Sequence, residues 1–350
     1  MRQSLTKNRN LFQRNSHFRS LTCSLLLACL TGFVADPGLA QSDTWQMPRT
    51  VDGQPDLQGV WANNTITPLE RPEVFGDKAF LTDEDMAFLQ RRIAEITRED
   101  GDALFGDGVL EAAFSGEARS FEPSTGNYDQ SWLVQRNVHN RTSQIIYPLN
   151  GKFPARTEAA IAATRDAMKR YTRPPRSWED RGLTERCISF GAPYLGTGYN
   201  SYWQIVQSRD HVIILQEMIH DARIIPLVDK PHIDEDIRLW HGDSRGWWEG
   251  DTLVIETTNY ADKSAATPEA SRVVNLERLT RISDDEIRYQ LTSQDPGQFN
   301  GTYTRELILD YSPDPIYEYA CHEGNYAMEH ILAGARAQER RQREAGGSEN

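Results

Sequence analysis

The strongest constraint on the fold is a switch in apolar periodicity to two that begins at Tyr202 and persists for a hundred residues. Tyr202–Gln207 and the runs 211–218, 223–227, 237–240, 253–258, 273–282, 286–292 and 303–311 all read as strands. In 286–292, Ile287, Tyr289 and Leu291 face one way while Arg288, Gln290 and Thr292 face the other, as a half-buried strand requires. Connectors such as Ser283-Asp284-Asp285 are too short for a crossover, so consecutive strands must be antiparallel neighbours. The expected class is therefore mainly β. A meander of about eight to ten strands closes most economically into a barrel, which leaves no exposed edge.

Ahead of the meander, Gly59-Val60-Trp61 resembles a lipocalin-type opening, in which the tryptophan plugs the closed end of the barrel. Two helices are expected as insertions within 80–175. Thr82-Asp83-Glu84-Asp85 caps the first, with Met86, Leu89, Ile93 and Ile96 on one face. The second runs over 157–171 and stops at Pro174-Pro175, and a third is expected over 328–343. Short strand candidates at 133–138 and 144–149 flank Asn137 to Arg141. The aperiodic stretch 99–127 reads as a mobile loop or lid, and 341–350 as a disordered tail after a single domain spanning 41–340.

Residues 1–40 read as a signal peptide. Five basic residues precede an apolar segment from Leu21 to Val34, and Gly38-Leu39-Ala40 offers small residues for cleavage after Ala40. The rival reading is lipoprotein processing at Cys29; an apolar segment continuing through Leu30, Phe33 and Val34 argues against it. No other segment has the roughly 20 apolar residues of a transmembrane helix, so a periplasmic or secreted protein is expected. Loss of the leader removes five basic residues and Asp36, taking the formal net charge from −13 to −17. Such a field repels nucleic acid and anionic lipid and fits a cation or a neutral small molecule better as the expected partner, with the oligomeric state open. Cys187 and Cys321 are the two cysteines beyond the leader, and in an exported chain they are expected to pair.

The densest chemistry lies in 239–260, where Gly250-Asp251 signals a hairpin turn and Gly246 a second turn before it. Asp243, Arg245, Trp247, Trp248 and Glu249 are the candidate ligand-binding residues, set against the alternative of a salt-bridged, tryptophan-plugged scaffold. Gly242 to Gly246 satisfies the bare Gly-x-Ser-x-Gly pattern, but a nucleophile elbow needs a helix after it and here a strand follows. His220-Asp221-x-Arg223 offers an acid or base beside a charge stabiliser, and His322-Glu323-x-x-Tyr326 offers an acid/base pair with a phenol. Strand-end and helix-cap roles are the alternatives for the two motifs. His220, His232, His241 and His322 lack metal-ligand spacing, so neither metal nor cofactor is expected.

The blocks Pro55-Asp56-Leu57-x-Gly59-Val60-Trp61, Glu185-Arg186-Cys187-Ile188, Gly242-Asp243-Ser244-Arg245-Gly246-x-Trp248-Glu249-Gly250-Asp251-Thr252-Leu253-Val254 and Tyr319-Ala320-Cys321-His322-Glu323-Gly324-Asn325-Tyr326 resemble those of a large family of exported bacterial proteins without an assigned activity. The resemblance covers nearly all of the chain after the leader. It implies no activity, and His241 stands where such proteins often carry an apolar residue. The leading expectation is a lipocalin-like barrel with a cavity for a largely apolar or aromatic molecule, which a completely filled interior would remove. The second is a cofactor-independent lyase, isomerase or hydrolase, for which His220, Arg223, His322 and Asp243 should face one cavity. The third is an envelope-interaction protein with an apolar patch in place of a cavity.

Overall fold

The computed structural model describes residues 45–96, 113, 136–262 and 269–346. The expected leader, nearly all of the expected lid and the first half of the strand candidate at 133–138 lie outside the described residues. Ten strands build one antiparallel sheet: β1 (Gly59–Ala62), β2 (Ile145–Tyr147), β3 (Tyr202–Gln207), β4 (His211–Gln216), β5 (Ala222–Pro226), β6 (Asp243–Glu249), β7 (Thr252–Thr258), β8 (Val274–Arg281), β9 (Glu286–Gln294) and β10 (Tyr303–Ser312). Among the described residues three α-helices accompany it: α1 (Asp83–Ile96), α2 (Glu158–Thr172) and α3 (Ala327–Gly346).

The sheet order is β5-β4-β3-β1-β10-β9-β8-β7-β6, with β2 paired to β10. Two sequential meanders, β3 to β5 and β6 to β10, are thus joined by β1, whose Val60 pairs with Gln204 on one side and Ser312 on the other. Inward parity follows the alternation read from the sequence. Ile287, Tyr289 and Leu291 enter one apolar core with Trp61, Trp203, Ile205, Ile214, Ile225, Leu253, Ile255, Leu279, Leu307 and Leu309. Full burial of each such aliphatic side chain stabilises the fold by about 1.5–3 kcal/mol relative to exposure. Trp61 is wholly buried, donates its indole N–H to the Leu57 carbonyl at 2.9 Å and lies under the Arg281 guanidinium.

The sheet is strongly curled. Arg223 on β5 and Glu277 on β8 are six strands apart along the sheet, about 29 Å if it were flat at about 4.8 Å per strand, yet their side chains bond at 2.7 Å. At the seam, β6 comes up to β5 without a hydrogen-bonded ladder, so the sheet keeps two edges where a closed barrel was expected. Gly246 permits this approach. A Cβ there would lie 2.9 Å from the Ile225 Cγ2 and Leu227 Cδ2 methyls.

Three local expectations are corrected. Gly246 is not at a turn; it sits mid-strand in β6 opposite Ile255, and the hairpin turn is Gly250-Asp251 alone, with Gly250 at φ 61°. Residues 237–240 form no strand. The Asn259 amide, itself in left-handed backbone, donates to the carbonyls of Asp234 at 2.9 Å and Ile237 at 3.1 Å, drawing this chain into a loop. Residues 341–346, expected in a disordered tail, continue α3. The first helix keeps its expected cap, with the Asp85 N–H donating to Thr82 Oγ1 and the Thr82 N–H to Asp85 Oδ2. Its inner face, Leu89 and Ile93, packs with Ile66 and Ala113. Cys187 and Cys321 form the expected disulfide across 134 residues.

Candidate ligand cavity

The interior of the curled sheet is filled by the core along most of its length, but a cavity of about 630 Å³ remains at one end. Its floor comes from the inward residues at the ends of β8, β9 and β10: Asn275, Leu291, Ser293 and Arg305, with Tyr303 beside them. Its roof is the irregular segment carrying Leu183, Ser189, Phe190, Pro193 and Leu195, and its side is closed by Trp240, Tyr260, Ala270 and Val273. The disulfide ties the roof at Cys187 to the segment before α3.

Arg305 shares the inward parity of Leu307 and Leu309, so the strand itself drives a guanidinium into the interior. Its Nε donates to Gln144 Oε1 at 2.6 Å and its Nη2 to the Leu195 carbonyl at 2.9 Å. Gln144 is itself fixed by donating to the Thr67 carbonyl. Among the described residues no carboxylate lies within ion-pair distance of Arg305, and burial pushes its pKa down to about 10. Beside it, the Asn275 amide donates to the Tyr260 hydroxyl at 2.9 Å, while its carbonyl oxygen is buried and unpartnered. Burial raises the phenols of Tyr260 and Tyr303 above the usual range, so both stay protonated and able to donate. One acid, Asp295, lines the rim, where its Oδ1 accepts from the Gln298 N–H in the β9–β10 turn.

At the roof, Ser189 Oγ and His241 Nε2 are 2.7 Å apart, and the Gly191 N–H donates to the same hydroxyl at 2.8 Å. Desolvation keeps the His241 imidazole below its ordinary pKa, against the opposing pull of Asp221, which favours a neutral ring beside the Ser189 hydroxyl. Asp221 Oδ2 also approaches Nε2, at 3.3 Å. Serine and carboxylate thus meet one ring nitrogen, whereas a nucleophilic triad needs the carboxylate on the opposite nitrogen to orient the base.

The cavity lining includes none of the ten residues proposed from sequence as catalytic or ligand-binding. His220 is exposed after a 3₁₀ turn in which Ile219 and His220 both take positive φ. Arg223 is sealed in the core by a bidentate pair with Glu277, at 2.7 and 2.8 Å, which also accepts from the Tyr289 hydroxyl. His322, Glu323 and Tyr326 are exposed, and Glu323 lines a shallower hollow of about 440 Å³ beside the disulfide.

The hairpin residues bond chiefly to one another. Asp243 joins Arg245 at 2.7 Å and His232 Nδ1 at 2.7 Å, and His232 Nε2 reaches Glu256 at 3.1 Å. Trp247 donates to Glu249, which pairs with Arg278, while Trp248 packs against the core. Among the described residues one group has metal-ligand proximity: His139, Glu286 and Asp310, with donor atoms within 4.8 Å of one another. It contains none of the four histidines weighed from sequence.

Sequence reasoning missed Ser189, Tyr260, Asn275, Ser293 and Arg305. For the last three a signal existed, since each shares strand parity with core residues. Comparison with protein-family profiles, curated proteins and solved structures finds no match for this chain.

Proposed function

We propose that the protein is an exported binder of a small, largely apolar or aromatic molecule, taken into the open end of a curled, barrel-like sheet. The cavity carries this reading. Its volume lies in the range of small-molecule sites, about 300–1,000 Å³, and its walls are mostly apolar, with Phe190, Pro193, Leu195, Trp240, Val273 and Leu291 around a few convergent polar groups. Barrel-like closure is supported by the packing of Gly246 against Ile225 and Leu227 and by the Arg223–Glu277 bond across the interior. Export is supported by the basic-then-apolar leader and the disulfide.

Native mass spectrometry of protein purified from an exporting host tests the reading, with Leu291→Trp as a cavity-filling control. A small-molecule adduct on the natural sequence that disappears from the filled variant is expected. An adduct retained by the filled variant, or no adduct together with no uptake of aromatic probes, overturns it.

A cofactor-independent lyase, isomerase or hydrolase is the second reading, favoured by one observation: the Ser189 hydroxyl bonded to a neutral His241 at the cavity roof. Turnover of a bound ester or hydroxy compound that is lost in both Ser189→Ala and His241→Gln would promote it over simple binding.

A further inference from the structure

We infer that the ligand of this cavity is an organic anion, an aryl or alicyclic carboxylate, whose charged end is received by Arg305. The inference rests on the cavity reading above and adds the chemical class of the occupant. A guanidinium removed from water is costly unless its charge is met and its donors are used. Arg223 and Arg305, both on inward strand positions, resolve that demand differently, while a third inward arginine, Arg281, spends its donors on the backbone carbonyls of Asp56, Ser283 and Asp284. Arg223 has the Glu277 carboxylate in bidentate contact. Arg305 has an amide oxygen and a backbone carbonyl, both neutral, and its Nη1 donates to neither.

Arg305 lines the empty volume, and Nη1 is the guanidinium nitrogen that takes no part in those two bonds. A carboxylate placed there would gain paired, charge-assisted N–H donors in the planar geometry that suits it. It would also meet Ser293, and the protonated Tyr303 phenol beside it.

Other charges around the space agree with a monoanion. Glu277 beneath is neutralised by Arg223, and Asp295 at the rim is engaged by the turn backbone, so Arg305 is the uncompensated charge at the floor. A second negative group reaching the rim would face Asp295, which disfavours dianions such as inorganic sulfate or phosphate esters. The apolar walls Leu291, Phe190 and Trp240 suit a ring or hydrocarbon body and give nothing to a small hydrated ion.

Isothermal titration of the full exported chain with 2-naphthoate and its neutral isostere 2-naphthamide tests the inference, with sodium sulfate as the inorganic probe. The expected result is naphthoate binding tighter than naphthamide by about tenfold to a hundredfold, with sulfate failing to compete. Arg305→Gln should bring naphthoate down to the naphthamide level while leaving naphthamide within about twofold of its value in the natural sequence, and Arg305→Lys should fall between. The lysine variant and an unchanged melting transition separate lost recognition from lost folding.

Equal affinities for acid and amide, both abolished by Leu291→Trp and neither altered by Arg305→Gln, would overturn the anion inference and leave the cavity standing. Sulfate binding that displaces naphthoate would overturn it in favour of an inorganic ion site. Failure of both aromatic probes on the natural sequence, with no effect of Leu291→Trp, would overturn the inference and the cavity reading together.

Discussion

Two arginines enter the same interior from inward positions of the same sheet, and they do different work. Arg223 is 3% exposed and meets a Glu277 side chain that is fully buried, with the Tyr289 hydroxyl completing the carboxylate. Arg305 borders a void and bonds only neutral oxygens. The first arrangement is closed: every strong group has its partner inside the chain, and nothing is left to recognise. The second is open, with a charge held in place by Gln144 and Leu195 and one side left unanswered. A buried cation therefore marks a site here only where its counter-charge is missing, and sequence alone cannot tell which of the two arginines that is.

The largest effect is expected from Glu277→Gln, which leaves Arg223 buried without its carboxylate and should cost about 3–5 kcal/mol in urea unfolding. A loss below about 1 kcal/mol would mean that the pair is not the sealed unit described. Replacing both cysteines by serine should cost about 2–5 kcal/mol for so long a closed loop. Because Cys187 belongs to the roof, ligand uptake should weaken more than the loss of global stability accounts for, whereas the Arg223 pair should stay intact until the chain unfolds.

The double variant Arg223→Met with Glu277→Leu should recover most of the loss seen in Glu277→Gln and come within about 1–2 kcal/mol of the natural sequence. Arg305→Met alone should change stability by no more than about 1 kcal/mol. Equal destabilisation by Arg305→Met and Glu277→Gln would erase the distinction between the two arginines.

The smallest effect belongs to the hairpin network. The hydrogen bond to Glu256, with Asp243 adding to it against the cost of burial, holds the His232 imidazole above its ordinary pKa. The folded state therefore favours the protonated ring. Its contribution is fully present below the unfolded imidazole value near 6.5 and is lost as pH rises through the raised value. Unfolding free energy measured across this window should fall by up to about 1 kcal/mol, and His232→Asn should flatten that slope.

Much of the sheet was legible because strand alternation is local. The inward parity of Ile287, Tyr289 and Leu291 can be read without knowing any partner strand, and the observed strand ends differ by a residue or two. The same parity places Arg223, Asn275, Glu277, Ser293 and Arg305 inside. What it cannot show is that Glu277 answers Arg223 across a curl of six strands while nothing answers Arg305.

The roof was illegible for a related reason. Ser189 and Phe190 lie in irregular backbone positioned by a disulfide to a residue 134 positions away and by bonds to His241. The hairpin 239–260 misled through density. Asp243 and Arg245 bond each other, and Trp247 bonds Glu249, which pairs with Arg278 of β8, while Trp240 and Tyr260, at the ends of the same stretch, are the residues of it that reach the cavity.

Gly246 carries a consequence for how this chain behaves in company. An exposed strand edge is a template for another molecule's backbone, and a ten-stranded sheet that stops short of a full ladder has two of them. By omitting a side chain at one position, β6 settles against Ile225 and Leu227 of the opposite edge, so each edge is shielded by the other. The seam is then a guard against intermolecular strand pairing that adds to the repulsion of the net negative surface. A branched residue at position 246 would prise the edges apart and expose both to intermolecular pairing, turning a packing defect into a route to aggregation.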